Sequence, residues 1–250
     1  MHHARELGVN FFGTVQAHGF GKSEAMLGKA LREELKRDHD NLVLATKGGI
    51  KPRSDRPRDS RREWLTQAIE DSLRYLDVDH IDLYQIHWPD PKAPADGLGP
   101  AGLRRRREDP ARRCLELRRR GDGRLLPDPS GRTSGLLTGS FTPETTIEKT
   151  DWRSRSSAFT EETFRRNLAV VDRLKDFAAG KGISVGQLAI AWTFAQPGMR
   201  VAIVGARKAA SIEASLAAAE VDLTAEDLTE LDRLTTDAVP VSGANPEGVA

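Results

Sequence analysis

The sequence predicts an α/β chain built on a parallel sheet, and two observations carry that prediction. Between residues 10 and 87, short apolar runs alternate with amphipathic segments of helical period; repeated strand, loop, helix units imply right-handed crossovers and parallel strands. Lys47 and His87 fall at the C-terminal ends of two successive predicted strands, so chemistry-bearing residues gather on one rim, as a (β/α)8 barrel requires.

Each element has its own reason. Residues 4–7 read as the last turn of a helix closed by Gly8, so the sequence opens inside a fold. The segment NFFGTVQAHGFGKSE (10–24) begins with the end of an apolar strand and runs through a glycine-rich loop into a helix over 23–35, with Ser23 as its N-cap and Met26, Leu27, Ala30 and Leu31 on its apolar face. Residues 41–47, NLVLATK, form a compact apolar run suited to a buried parallel strand that delivers Lys47 to its edge. The next loop is too polar and proline-rich for regular structure, and a helix follows over 64–76 and a strand over 80–87. Further on, 161–180 is a helix with Phe164, Leu168, Val171, Leu174 and Phe177 at helical spacing, ended by Gly180. Ser184 caps another helix that stops before Pro197, residues 201–205 (VAIVG) read as a fourth buried strand, and helices follow over 209–219 and 225–234.

Composition narrows the function. The 250 residues carry a formal net charge of +1 and one cysteine, Cys114, which excludes an internal disulfide framework and suits a reducing, cytoplasmic setting. No run reaches the ~20 apolar residues of a membrane span. The whole reads as a single domain, 1–250, interrupted by a foreign segment at 93–134. Between residues 97 and 132 there are eleven arginines, no lysine and five acidic residues, and no aromatic occurs from 89 to 140. That composition is what GC-rich coding DNA gives when read out of frame. A nucleic-acid interface is the weaker reading of the arginines, since no aromatic interleaves them and no known module frames them.

An ordered series of strings carries a resemblance: ATKGG around Lys47, SLRYLDVDHIDLYQIHWPDP (72–91), GLLTG (135–139), DWRSRS (151–156), NLAVVDRL, QLAIAW and VGARKAASIEAS. Together they resemble the aldo-keto reductases over some 200 of the 250 residues. The resemblance implies a (β/α)8 TIM barrel, here incomplete, with the first strand absent at the start of the chain and strands five to seven displaced by the arginine-rich block. It also implies NADPH as cofactor and reduction of an aldehyde or ketone, a small-molecule carbonyl substrate, to an alcohol. Oligomeric state is not implied.

The same resemblance assigns four catalytic positions. The lysine matches Lys47 and the histidine His87, with Trp88 beside it toward substrate; the aspartate and tyrosine belong to a motif that here reads Gly13-Thr14-Val15-Gln16-Ala17-His18-Gly19. Two of the four are thus substituted. A phenol is a serviceable proton donor once a nearby ammonium acts on it. An imidazole at position 18 would be an acid only as a cation, and beside Lys47 that form is opposed by about 4 kcal/mol at ~4 Å and an effective dielectric near 20. Loss of the aspartate at Gly13 removes the carboxylate that would hold Lys47 charged. A catalytically impaired relict with at most vestigial nucleotide binding is therefore the alternative to an active enzyme. For the cofactor, the resemblance assigns Gly135 and Leu136 to a phosphate-side loop, Gly205 to a close backbone approach, Arg207 and Lys208 to the 2′-phosphate, and Ser211 and Ser215 to a reduced adenine contact. No metal site is expected, because no carboxylate is spaced to complete a set with His18 and His87.

Overall fold

The computed structural model describes residues 1–51, 54, 55, 57–88, 90, 92, 135–196, 199, 201–206 and 208–239. The arginine-rich block at 93–134 lies outside them. The chain divides into two units, Met1–Asp122 and Gly123–Ala250.

The first unit consists of α1 (His2–Glu6), β1 (Phe11–Gly13), α2 (Lys22–Asp38), β2 (Val43–Gly48), α3 (Arg62–Leu76) and β3 (Leu83–Ile86). The three strands form a parallel sheet in the order β1-β2-β3. Phe11, Phe12 and Gly13 pair with Val43, Leu44 and Ala45; Ala45, Thr46, Lys47 and Gly48 pair with Leu83, Tyr84, Gln85 and Ile86. Among the described residues the sheet has these three strands and does not close.

Side chains alternate across a strand, so the register sorts the sheet into two faces. Phe12, Leu44, Thr46 and Tyr84 share the helix-covered face, where all four are buried. Gly13, Ala45, Lys47, Leu83 and Gln85 share the other, which in a barrel is the interior.

The helix over 23–35 begins earlier, at Lys22, and its N-cap is Gly21 at φ +90°, not Ser23. Ser23 instead shares a hydrogen bond with Thr14 across the loop, Oγ1 to Oγ 2.7 Å. The buried stripe is Glu24, Leu27, Gly28, Leu31 and Leu35, while Met26 is 69% exposed. The reason is close packing. A Cβ on Gly28 would lie 2.1 Å from the carbonyl oxygen of Leu76, so the helix turns its smallest residue toward the C-terminus of α3 and rolls Met26 outward.

The second unit holds α4 (Glu161–Gly180), α5 (Val185–Phe194), α6 (Ala209–Ala217) and α7 (Ala225–Leu234). Ser184 caps α5 as expected, with a reciprocal bond from its own backbone N–H to the side chain of Gln187. Leu168, Val171 and Leu174 of α4 meet Leu188 and Trp192 of α5, Leu231 of α7 and the short turn Leu136–Thr138 in one core. Within it the Asn167 side chain is buried; it donates to the carbonyls of Ala158 and Val239 and accepts the Val239 N–H at 2.9 Å.

The expected strand over 201–205 does not form. Val201, Ile203 and Val204 are between 42% and 50% exposed and no ladder pairs them. An apolar run becomes a strand only beside a partner, and among the described residues of this unit there is no strand to supply one.

Candidate functional site

Lys47 and His87 are brought to one edge by the pairing of β2 and β3. Lys47 sits opposite Gln85 on the interior face, and His87, two residues further, follows the end of β3 with its backbone N–H donated to the carbonyl of Gly48 at 2.9 Å. Both side chains are half-buried. Gly48 is required by packing: a Cβ there would lie 1.8 Å from the Tyr84 hydroxyl oxygen. The strand can therefore lay Lys47 on the interior face only with its smallest residue following.

Gly13 ends β1 opposite Ala45. Since Ala45 and Lys47 share a face, a side chain at position 13 would project onto the face that carries the lysine. The segment after it is pinned by Thr14 N–H to Ala45 O (2.9 Å) and Gln16 N–H to Lys47 O (3.1 Å). His18 lies in this segment and is exposed. Water thus screens it, and the repulsion from Lys47 anticipated for a low-dielectric pocket is correspondingly weaker.

The loops after β2 and β3 are tied together beneath this edge. Asp59, fully buried, donates its N–H to the Gly49 carbonyl (2.9 Å) and accepts from Arg61 through both carboxylate oxygens. The buried Asp90 carboxylate accepts the N–H of Ser60 (3.2 Å) on one oxygen and of Lys92 (2.8 Å) on the other. Trp88 meets His87 edge-on at 6.0 Å between centroids and carries the Arg58 guanidinium 5.4 Å above its ring. Neither aspartate was singled out in the sequence, although Asp90 lies within the string 72–91 and Asp59 in the polar loop that follows ATKGG.

Sequence reasoning also missed Glu24. It is fully buried on α2 and accepts from the Thr46 hydroxyl at 2.7 Å, next to Lys47 but on the opposite face of β2. Burial pushes its carboxyl above the ordinary range, with the Thr46 hydrogen bond pulling the other way.

The remaining predicted residues lie in the second unit. Gly135, at φ +88°, leads into the turn Leu136–Thr138, where Leu136 is buried. Gly205 is exposed with open space where a Cβ would be. Lys208 is the N-cap of α6 and is exposed, Ser211 is in the first turn, and the Ser215 hydroxyl donates back to the Ser211 carbonyl at 2.8 Å. Arg207 lies outside the described residues. Lys208 thus places an exposed ammonium at a helix N-terminus, an arrangement that suits an anion.

Comparisons with known proteins agree on one family. The profile described as Aldo/keto reductase family matches residues 1–125 and 132–236. The chain is 30% identical over 269 aligned positions to the aldo-keto reductase YhdN of Bacillus subtilis, covering 92% of this chain and 81% of that protein. It is 24% identical to the aldo-keto reductase yakc [NADP(+)] of Schizosaccharomyces pombe, with 98% and 84% covered. Over 36% of the chain, identity to the 6-dehydroglucose reductase of Novosphingobium aromaticivorans reaches 44%. Among solved structures, the glycerol dehydrogenase of Gluconobacter oxydans superimposes with a TM-score of 0.72 at 29% identity, over 100% of this chain and 87% of that one.

Proposed function

The chain belongs to the aldo/keto reductase family, and from that premise we propose that it reduces an aldehyde or ketone to an alcohol with NADPH, its chemistry centred on Lys47 and His87. The observation that carries the proposal is the placement of both residues at the C-terminal edge of adjacent parallel strands, with Lys47 on the interior face. NADPH, when bound, supplies the hydride. The family likeness supports it as the cofactor, one relative bearing NADP(+) in its name. The Lys47 ammonium stabilises the negative charge that develops on the substrate oxygen. The His87 ring fixes the orientation of that oxygen, and Trp88 beside it forms an apolar wall. Arg207 and Lys208 take the 2′-phosphate of the nucleotide, Ser211 and Ser215 a reduced adenine contact, and Gly135, Leu136 and Gly205 complete its assigned positions.

Gly13 and His18 favour a second reading, that of a reductase impaired at its acid. Position 13 has no carboxylate to orient Lys47, and the exposed His18 faces water in place of a phenol. We infer also that the 93–134 block stands in for the middle strands of the barrel; translation of the alternative reading frame across it should yield aromatic-containing, strand-like sequence, and arginine-rich or stop-interrupted text in both other frames would refute that.

The deciding experiment is a fluorescence titration with NADPH followed by turnover on generic aldehydes and ketones. Saturable binding with turnover that Lys47→Met abolishes supports the reductase. Absence of turnover, with binding weak or vanishing, selects the impaired form, and turnover that survives Lys47→Met overturns the chemistry assigned to the rim.

A further inference from the structure

At the opposite ends of β2 and β3 from Lys47 and His87, three ligand-type side chains meet that carbonyl reduction does not use. His39 comes from the turn His39–Asn41 that follows α2, and His80 and Asp82 from the stretch leading into β3. The rings of His39 and His80 stack with centroids 3.8 Å apart and 22° between planes. His39 Nε2 stands 3.4 Å from Asp82 Oδ2, and His80 Nε2 stands 4.0 Å from Asp82 Oδ1. One ligand atom from each residue lies within 4.8 Å of the other two. We infer that His39, His80 and Asp82 form a binding site for a divalent transition metal of the zinc class, taken by the Nε2 atoms of both imidazoles and the Asp82 carboxylate.

One of the spacings already has the value an ion would set, and the wider His80–Asp82 gap of 4.0 Å and the stacked rings must adjust around it. N–H···O bonds centre near ~2.9 Å and seldom exceed about 3.2 Å. Two donor atoms on one tetrahedral ion with bonds of ~2.1 Å stand about 3.4 Å apart, and the His39–Asp82 separation has that value. His39 Nε2 is buried and makes no hydrogen bond, although Asp82 is beside it. A buried nitrogen in that condition carries a desolvation cost that a cation would remove.

The tautomer of His80 is also set. His80 Nδ1 is 2.6 Å from the Asp79 carboxylate, which places the proton on Nδ1 and leaves the lone pair on Nε2; a carboxylate behind a ligating histidine is the usual supporting arrangement. Asp82 is held by the Leu44 N–H at 2.8 Å. Imidazole with carboxylate suits zinc and its neighbours over calcium or magnesium. His80 and Asp82 are 24% and 30% exposed, which leaves a path for the ion and a position for water. The ion would fasten the turn before β2 to the approach to β3.

The test is titration of the full chain with Co²⁺ alone, read by visible absorption. One equivalent should bind with the intense bands of a four-coordinate site, and Zn²⁺ should displace it and raise the melting temperature. His39→Gln and His80→Gln should each weaken binding at least about tenfold, and Asp79→Asn by roughly 10- to 100-fold through the supporting hydrogen bond. Replacing His2 and His3 with alanine should change nothing. A parent chain that binds no Co²⁺ overturns the inference, as does affinity that survives His80→Gln or vanishes with His2 and His3. If His39→Gln does not fold, Asp79→Asn, at an exposed acid, still decides: unchanged Co²⁺ affinity there refutes the site.

Discussion

Two single positions define what this chain can do at its rim. Gly13 pairs with Ala45 on the face that carries Lys47, so an aspartate there would stand on the lysine's side and could hold it charged. A tyrosine at position 18 needs that charged lysine before its phenol is acidic enough to serve. Gly13→Asp with His18→Tyr should therefore raise carbonyl reduction by about 10²-fold or more, the contribution of a competent general acid, with each single change giving little. Steady-state rates of the four proteins check it, after equal NADPH binding has been established; additive gains would contradict the coupling. Glu24 makes a different statement. Its native carboxyl is raised by burial, so the folded state binds this proton more tightly than the unfolded one. The sign follows: stability from this group is fully present below the ordinary carboxyl range and is lost as pH rises through it toward the raised value. Glu24→Gln, which keeps an acceptor for Thr46 without the charge, should be more stable than the parent at about pH 7 and no more stable near pH 4. Urea midpoints at both values test it, and an equal shift at both would rule it out.

Among elements, α2 meets the backbone of α3 closely at Gly28. Gly28→Ala gains about 1 kcal/mol of helix propensity but drives a methyl group to within 2.1 Å of the Leu76 carbonyl oxygen. Overpacking of this kind costs about 1–3 kcal/mol, and backbone is the least yielding partner, so a net loss is expected in the denaturation midpoint; an unchanged or higher midpoint would show that the helices slide apart freely. What the sequence told and withheld follows the same division between local and distant causes. β2 was legible because a continuous apolar run buried on both faces needs no context to be recognised, and with it Lys47. His87 was legible once β3 was placed. The roll of α2 was not, since Gly28 and Glu24 take their burial from Leu76 and Thr46, residues of other elements. Residues 201–205 had the composition of a strand but no neighbour to pair with. His39 and His80 meet only because β2 and β3 lie side by side, which no local spacing reveals.

The described residues hold two packed units and one short sheet. Among the described residues β1 and β3 each have one strand neighbour, and Val201, Ile203 and Val204 present apolar surface to solvent. Unpaired strand edges and exposed β-branched residues invite pairing with other copies. Heating should therefore give a broad, concentration-dependent transition with aggregation, followed by light scattering and circular dichroism together; a sharp, reversible, concentration-independent melt would contradict it. No helix among the described residues is long and apolar enough to cross a membrane. The Asp90 carboxylate carries a last consequence. By taking the amides of Ser60 and Lys92 on its two oxygens, it makes the segments behind Lys47 and His87 a single mechanical body. The Lys92 bond is local to the segment after β3, and the Ser60 bond is the one that crosses to the segment after β2, so parting of the two segments should expose the Ser60 amide to exchange before the Lys92 amide, and Asp90→Ala should speed both. While the Ser60 bond holds, the rim would breathe as one piece, and a substrate would meet Lys47 and His87 either both in place or both withdrawn.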